Sequence, residues 1–224
     1  MDIEGTTTPV AFVHEVLFPY SARHLADYIR RHCQEEVVKA CLEGTVKTVA
    51  EEAGRAIGQD AAVQQLLDWI SADRKHPALK TLQGLIWREG YESGAFAGVV
   101  YTDVKPCLST WRQRGMTLGI YSSGSVDAQK LLFSHTQVGD LTPMLSNFFD
   151  TAVGMKRDVA SYLHIATRLG VAPSAILFLS DTGAELDAAH AAGMVAVQIL
   201  RPGTIAAKRT STPNSLVAEE ILFT

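Results

Sequence analysis

No run in this chain approaches the roughly 20 consecutive apolar residues that a helix needs to cross a membrane. Cysteine is scarce. Cys33, Cys41 and Cys107 are odd in number and form no CxxC pair. That argues against a disulfide framework or a zinc cluster, and a reducing cytoplasm is the expected location. Basic residues are not in excess. The 20 Lys and Arg against 24 Asp and Glu leave a formal charge of -4, so nothing points to nucleic acid or to an anionic membrane surface. The seven histidines show no HxH or HExxH spacing. A repeat of fixed period and a low-complexity tract are also missing, and no secretory leader is expected, since polar Asp2 and Glu4 stand where a leader would be basic and apolar. What is present is a chain of 224 residues, 47% of them hydrophobic. That suits one large domain, or a domain carrying an insertion.

Apolar spacing then divides the chain. Leu25, Tyr28, Ile29 and His32 fall at helical intervals. So do Val46, Val49, Ala50, Ala53 and Ile57, closed by Gly58. Asp60 is a fair N-cap for Val63, Leu66, Leu67 and Ile70, and Pro77 opens a helix carrying Leu79, Leu82 and Ile86. Residues 14–88 therefore read as consecutive helices, with Trp87–Gly94 expected as a loop. A helix with Val104, Leu108 and Trp111 on one side follows. From Met116 strands and helices alternate: strands at Met116–Tyr121, Phe148–Val153, Ala175–Leu179 and Val195–Leu200, helices at Val126–Phe133, from Val159 to Gly170 and at Ala184–Ala192. Such alternation predicts an α/β fold with a parallel sheet and right-handed crossovers. The tail from Thr204 to Asn214 is polar and is expected to be loosely ordered.

In parallel sheets ligands bind beyond the carboxyl ends of the strands. The polar residues gather at those ends. Asp2 and Glu4 share a face of an extended segment, and Gly5 allows a sharp turn after them. Ser122, Ser123 and Gly124 follow the next strand, Lys156 the one after, and Asp181 the third. Asp2 and Asp181 are hard oxygen donors of the kind magnesium takes, one or two carboxylates beside waters and phosphate. Ser122 and the Ser123–Gly124 backbone suit a phosphate at a helix N-terminus. Lys156 would neutralise a phosphoryl group in transfer. Asp2 would attack phosphorus, and Glu4 would protonate the leaving oxygen and later activate water. Phosphoryl transfer needs mainly positioning and charge neutralisation, and this set offers both.

That order of motifs resembles the haloacid dehalogenase superfamily over nearly the whole chain. A second acid two residues after the nucleophile is similar to its phosphatases rather than its dehalogenases. Asp2-Ile3-Glu4-Gly5-Thr6-Thr7 resembles the opening motif of the enolase-phosphatases, also called acireductone synthases. So do Val16-Leu17-Phe18-Pro19-Tyr20, Leu79 to Trp87, Gly90-Tyr91-Glu92-Ser93-Gly94 and Tyr121-Ser122-Ser123-Gly124-Ser125. The resemblance implies a Rossmann-like core, residues 1–11 and 100–224, with an all-helical cap inserted at 12–99. It implies methionine salvage: conversion of 2,3-diketo-5-methylthiopentyl 1-phosphate to acireductone and phosphate, with Mg2+ held by Asp2, Glu4 and Asp181. Ser122, Ser123 and Lys156 match the family's phosphate site, and Glu185 matches an acid that orders the metal's waters. Trp87 would belong to a cap motif that meets the substrate. The expected partner is that small phosphorylated diketone, and the expected state a monomer. Met155 departs from the family's usual histidine. The first core strand, which should precede Asp2, is expected to be truncated. Two alternatives stay open: a phosphatase of the superfamily for another small phosphoester, or an inactive N-terminally truncated member.

Overall fold

A computed structural model of the chain describes residues 1–201 and the backbone of the strand Val217–Ala218; the stretch Thr204–Asn214 lies outside the described residues. The chain forms two compact units, one of residues 1–12 and 97–224, the other of residues 13–96.

The chain starts extended at Met1–Ile3, turns at Gly5 with φ of 71°, and enters the short helix α1, Val10–Phe12. Helix onset is thus earlier than the apolar spacing suggests. Pro9 presets the first turn, and Phe12 N–H donates to the Pro9 carbonyl at 3.0 Å.

The second unit follows. A π-helical turn, Val13–Leu17, runs into α2, Phe18–Arg31, with Pro19 in its first turn, where a missing N–H costs little. Then come α3 Glu36–Ala53, α4 Gln59–Ser71 and α5 Pro77–Glu92. Their apolar stripes meet in one core that includes Leu25, Leu66 and Leu82, all fully buried. Trp87–Gly94 is not the expected loop, since α5 continues to Glu92. The glycine there serves packing. A Cβ on Gly90 would come within 2.4 Å of the Phe96 ring and 2.9 Å of the Tyr20 ring. Trp87 is an anchor of this unit; its indole N–H donates to the Leu17 carbonyl at 2.8 Å.

The first unit resumes with α6, Val104–Gln113. In order come β1 Gly119–Tyr121, α7 Val126–Ser134, β2 Asn147–Phe149, α8 Val159–Leu169, β3 Leu177–Ser180, α9 Gly183–Ala191, β4 Val195–Ile199 and β5 Val217–Ala218. Every strand pair is parallel. The strands are shorter than the apolar runs. Thr151–Val153, expected as strand, is a 3-10 turn because the Asp150 carboxylate accepts the Ala152 N–H at 2.9 Å. Pro173–Ala175 is likewise a 3-10 turn, so β3 begins at Leu177. The sheet also continues into β5, beyond the strand Val195–Leu200 that sequence reading takes as the last.

These strands form two sheets, β1–β2 and β3–β4–β5. Met1 and Asp2 join them. Met1 N donates to Gly119 O at 3.0 Å, Tyr121 N to Met1 O at 3.0 Å, and Asp2 N to Leu179 O at 2.8 Å. Met1 and Asp2 therefore stand in the middle of the sheet, between β1 and β3. Behind them lies a core of Tyr121, Tyr162, Phe178 and Leu186, with the Tyr162 and Phe178 rings edge to face at 5.1 Å. Among the described residues no helix is long and apolar enough to cross a membrane.

Candidate active site

Asp2 is 4% exposed, fixed by its ladder bond to β3. Its backbone leads into a turn that folds back on itself. Thr6, Thr7 and Thr8 N–H groups all donate to the Ile3 carbonyl, at 3.2, 2.9 and 2.9 Å. The Thr7 hydroxyl also reaches the Asp2 carbonyl at 3.2 Å. Glu4 is half-buried in this turn, where its backbone bridges to Thr8.

Two other segments deliver charge to Asp2. Lys156 comes from the loop after β2, held by Tyr162, whose hydroxyl donates to the Lys156 carbonyl at 2.7 Å. Its ammonium lies 2.5 Å from Asp2 Oδ1 and 2.8 Å from Glu185 Oε2. Asp181 follows β3. Its N–H donates to the Thr6 hydroxyl at 3.0 Å, which ties the end of β3 to the turn after Asp2. Gly5 packs on the Asp181 carboxylate so closely that a Cβ there would fall 2.3 Å from Oδ2. Ser180 connects the acids, since its hydroxyl donates to Glu185 Oε2 at 2.9 Å and lies 3.5 Å from Asp2 Oδ2.

The charges are out of balance. Burial raises the Asp181 carboxyl above its usual range, and the neighbouring Asp2 raises it further. Glu185 is pushed up to about 7, by burial first and Asp2 second, against the pull of Lys156. For Lys156, burial opposes the charge, but the Asp2 and Glu185 carboxylates outweigh it and the ammonium is raised. Burial drives the Met1 α-amine down to about 5, so at neutral pH it adds no positive charge. Three carboxylates thus share one ammonium, a surplus of negative charge that fits a divalent cation. Among the described residues no group of three His, Cys, Asp or Glu side chains is arranged as a metal cage. Magnesium does not need one, since one or two carboxylates plus waters and phosphate suffice.

Ser122 is buried at the end of β1, and the Tyr121-to-Met1 ladder bond sets it level with Asp2. Its hydroxyl accepts from Gly124 N at 3.4 Å, and Ser125 caps α7 by accepting from Ala128 N. Ser123 is partly exposed in the same turn. The geometry thus brings Asp2, Lys156 and Asp181 together, with Ser122 at the same sheet edge.

Arg201 follows the last strand read from the sequence, where a plain turn and an approach to the site's edge are equally open readings. The structure buries it: Nε donates to Thr6 O at 2.9 Å, Nη1 to Asp103 Oδ2 at 2.8 Å, and the guanidinium lies over the Tyr101 ring. Ser180 is a second residue that the strand-end reading does not single out. Its signal was a lone polar residue closing an apolar strand.

Comparison with known proteins agrees with this geometry. Residues 1–193 match the family model of haloacid dehalogenase-like hydrolases. The chain belongs to that class, which the parallel sheet with acids at its carboxyl edge also defines. It is 51% identical over 204 residues to "Enolase-phosphatase E1" of Sorangium cellulosum, covering 91% of this chain and 88% of that one. The protein of the same name from Thioalkalivibrio sulfidiphilus is 48% identical over 202 residues, covering 90% and 88%. The crystal structure of the UTR4 protein of Saccharomyces cerevisiae superposes with a TM-score of 0.79 at 33% identity, covering 98% and 95%. Within the hydrolase class, the chain belongs to the enolase-phosphatase E1 family.

Proposed function

We infer that the protein is a phosphatase of methionine salvage that enolises 2,3-diketo-5-methylthiopentyl 1-phosphate and removes its phosphate, giving acireductone. The observation that carries this reading is Lys156 set 2.5 Å from Asp2, with Asp181 tied to the same turn through Thr6. Asp2 attacks phosphorus as the bond to the leaving oxygen breaks, and Glu4 gives that oxygen its proton. Glu4 then takes a proton from water, whose oxygen attacks phosphorus, releases phosphate and restores Asp2. Lys156 offsets the repulsion between the Asp2 carboxylate and the incoming phosphate. Ser122, Ser123 and the N-terminus of α7 receive the phosphoryl oxygens. Asp2, Asp181 and Glu4, the last through its backbone, would hold magnesium, which would supply further charge neutralisation when bound. Helical residues 13–96 are assigned as the cap segment.

The test is purified protein with Mg2+ and the diketone phosphate, following acireductone absorbance and free phosphate together. Both should appear, and chelation should stop them. Magnesium-dependent hydrolysis of simple phosphomonoesters with no acireductone would instead mark a phosphatase for another small ester. No phosphate release from any ester would sink the enzymatic reading.

A further inference from the structure

The turn that leads from β1 into α7 is tied down from its buried side by a single side chain. Gln129, on α7, is 1% exposed. Its amide Nε2 donates twice, to the Gly124 carbonyl at 2.8 Å and to the Phe149 carbonyl at 2.8 Å. Phe149 closes β2, and its carbonyl also accepts from Ser122 N at 3.1 Å. We propose that Gln129 is a positioning residue for phosphate: by drawing the Gly124 carbonyl inward it turns the Ser125 N–H outward, to a phosphoryl group held by Ser122 and Ser123. The proposal rests on the reading of those two serines as the phosphate-receiving residues.

Peptide geometry gives the direction. The peptide bond is planar and trans, so its C=O and N–H point opposite ways. With Gly124 O held on Gln129, the Ser125 N–H faces away from the buried side, at the carboxyl edge of the sheet where Ser122 stands. Neighbouring donors are engaged within the protein. Gly124 N meets the Ser122 hydroxyl at 3.4 Å, Val126 N the Asp150 carboxylate at 3.4 Å, and Ala128 N the Ser125 hydroxyl at 3.3 Å. The Ser125 N–H is the one that the Gln129 contact offers to an anion.

The choice of side chain separates this role from plain packing. Gln129 Oε1 is buried and, among the described residues, accepts no hydrogen bond. A buried acceptor without a donor is destabilising. Methionine would fill nearly the same space without that loss. Turning the amide over would set Oε1 against two carbonyls, so the donors are fixed on their side. Glutamine is therefore present for its two hydrogens, both given to carbonyls that hold the ends of the turn.

The test is Gln129→Met, beside Leu132→Ala as a control for lost packing at another buried position of the same helix. Each protein is titrated calorimetrically with Mg2+ alone and with inorganic phosphate in Mg2+ buffer, well below its thermal midpoint. Gln129→Met should weaken phosphate binding by about tenfold or more, the loss expected with one hydrogen bond to a charged group. Its Mg2+ affinity should stay at the parent value, and Leu132→Ala should keep both affinities. In the parent protein the Ser125 amide resonance should shift as phosphate is added, a readout that needs no variant to fold. Parent-like phosphate affinity in Gln129→Met overturns the proposal, and so does a Ser125 amide that phosphate does not move. Equal losses of phosphate and Mg2+ affinity in both variants would make Gln129 a packing residue and overturn it as well. A parent protein that binds no phosphate would instead overturn the phosphatase reading beneath it, and the proposal with it; the parent titration alone tells that failure from the others.

Discussion

Lys156 stands between two carboxylates, whose negative charges outweigh its burial and raise its ammonium above the usual range. Replacing it with alanine should lower kcat by about a hundredfold or more, since among the described residues Lys156 is the side-chain cation that pairs with Asp2. Three crowded acids would remain, so the midpoint should fall in metal-free buffer and recover in part with Mg2+. Asp2→Asn should abolish phosphate release while leaving substrate binding visible by calorimetry; retained turnover would remove Asp2 as the nucleophile. Glu185 gives a pH signature. Its ordinary value is 4.5 and the folded protein holds it at about 7. Below 4.5 both folded and unfolded states keep the proton, and its contribution to stability is fully present. As pH rises through about 7 the buried acid ionises beside Asp2, and that contribution is lost. The raised Asp181 acts in the same sense. The midpoint of metal-free protein minus that of Glu185→Gln should therefore decline between pH 4.5 and 7, and saturating Mg2+ should flatten the decline. A flat difference without metal would show that Glu185 is ionised at little cost.

Between elements, the turn after Asp2 is clasped from outside by Arg201. Two guanidinium nitrogens meet the Thr6 carbonyl and a third meets Asp103. Arg201→Ala would leave Asp103 buried without its guanidinium, a loss of about 3 kcal/mol or more. Arg201→Lys should not restore it, because a single ammonium cannot reproduce the fork. Calorimetric midpoints of the two variants decide this; an Arg201→Lys protein as stable as the parent would reduce the clasp to a plain charge. No periodicity announces such a contact, since Arg201 and Thr6 are 195 residues apart. The acids and Lys156 were legible because strand ends in a parallel sheet are punctuated by polar residues after short apolar runs. Strand limits were less so. Asp150 and Pro173 tighten the chain into 3-10 turns by local hydrogen bonding and ring constraint, which an apolar count does not register. Gly90 misled in the opposite direction. Its spacing suggested a loop, whereas the glycine makes room for Phe96 and Tyr20 inside a continuing helix.

At the scale of the molecule, the described residues of each unit include a hydrophobic core of their own. Leu82 lies in that of residues 13–96, and Leu186 in that of the parallel-sheet unit; both are fully buried. A Leu→Ala change at such a site costs about 2–5 kcal/mol, and where that loss is felt reports how far cooperativity reaches. Each core is built from side chains of its own unit, so local opening should be separable. Leu82→Ala should speed amide exchange through α2–α5 while amides of β3 and β4 keep their protection. Leu186→Ala should do the reverse. Phosphate release should follow the second change more closely than the first at temperatures just below the midpoint, because Asp2, Lys156 and Asp181 hang on β3, α8 and the turn that β3 holds. Uniform acceleration across both units in the Leu82→Ala protein would show instead that the two cores unfold as one.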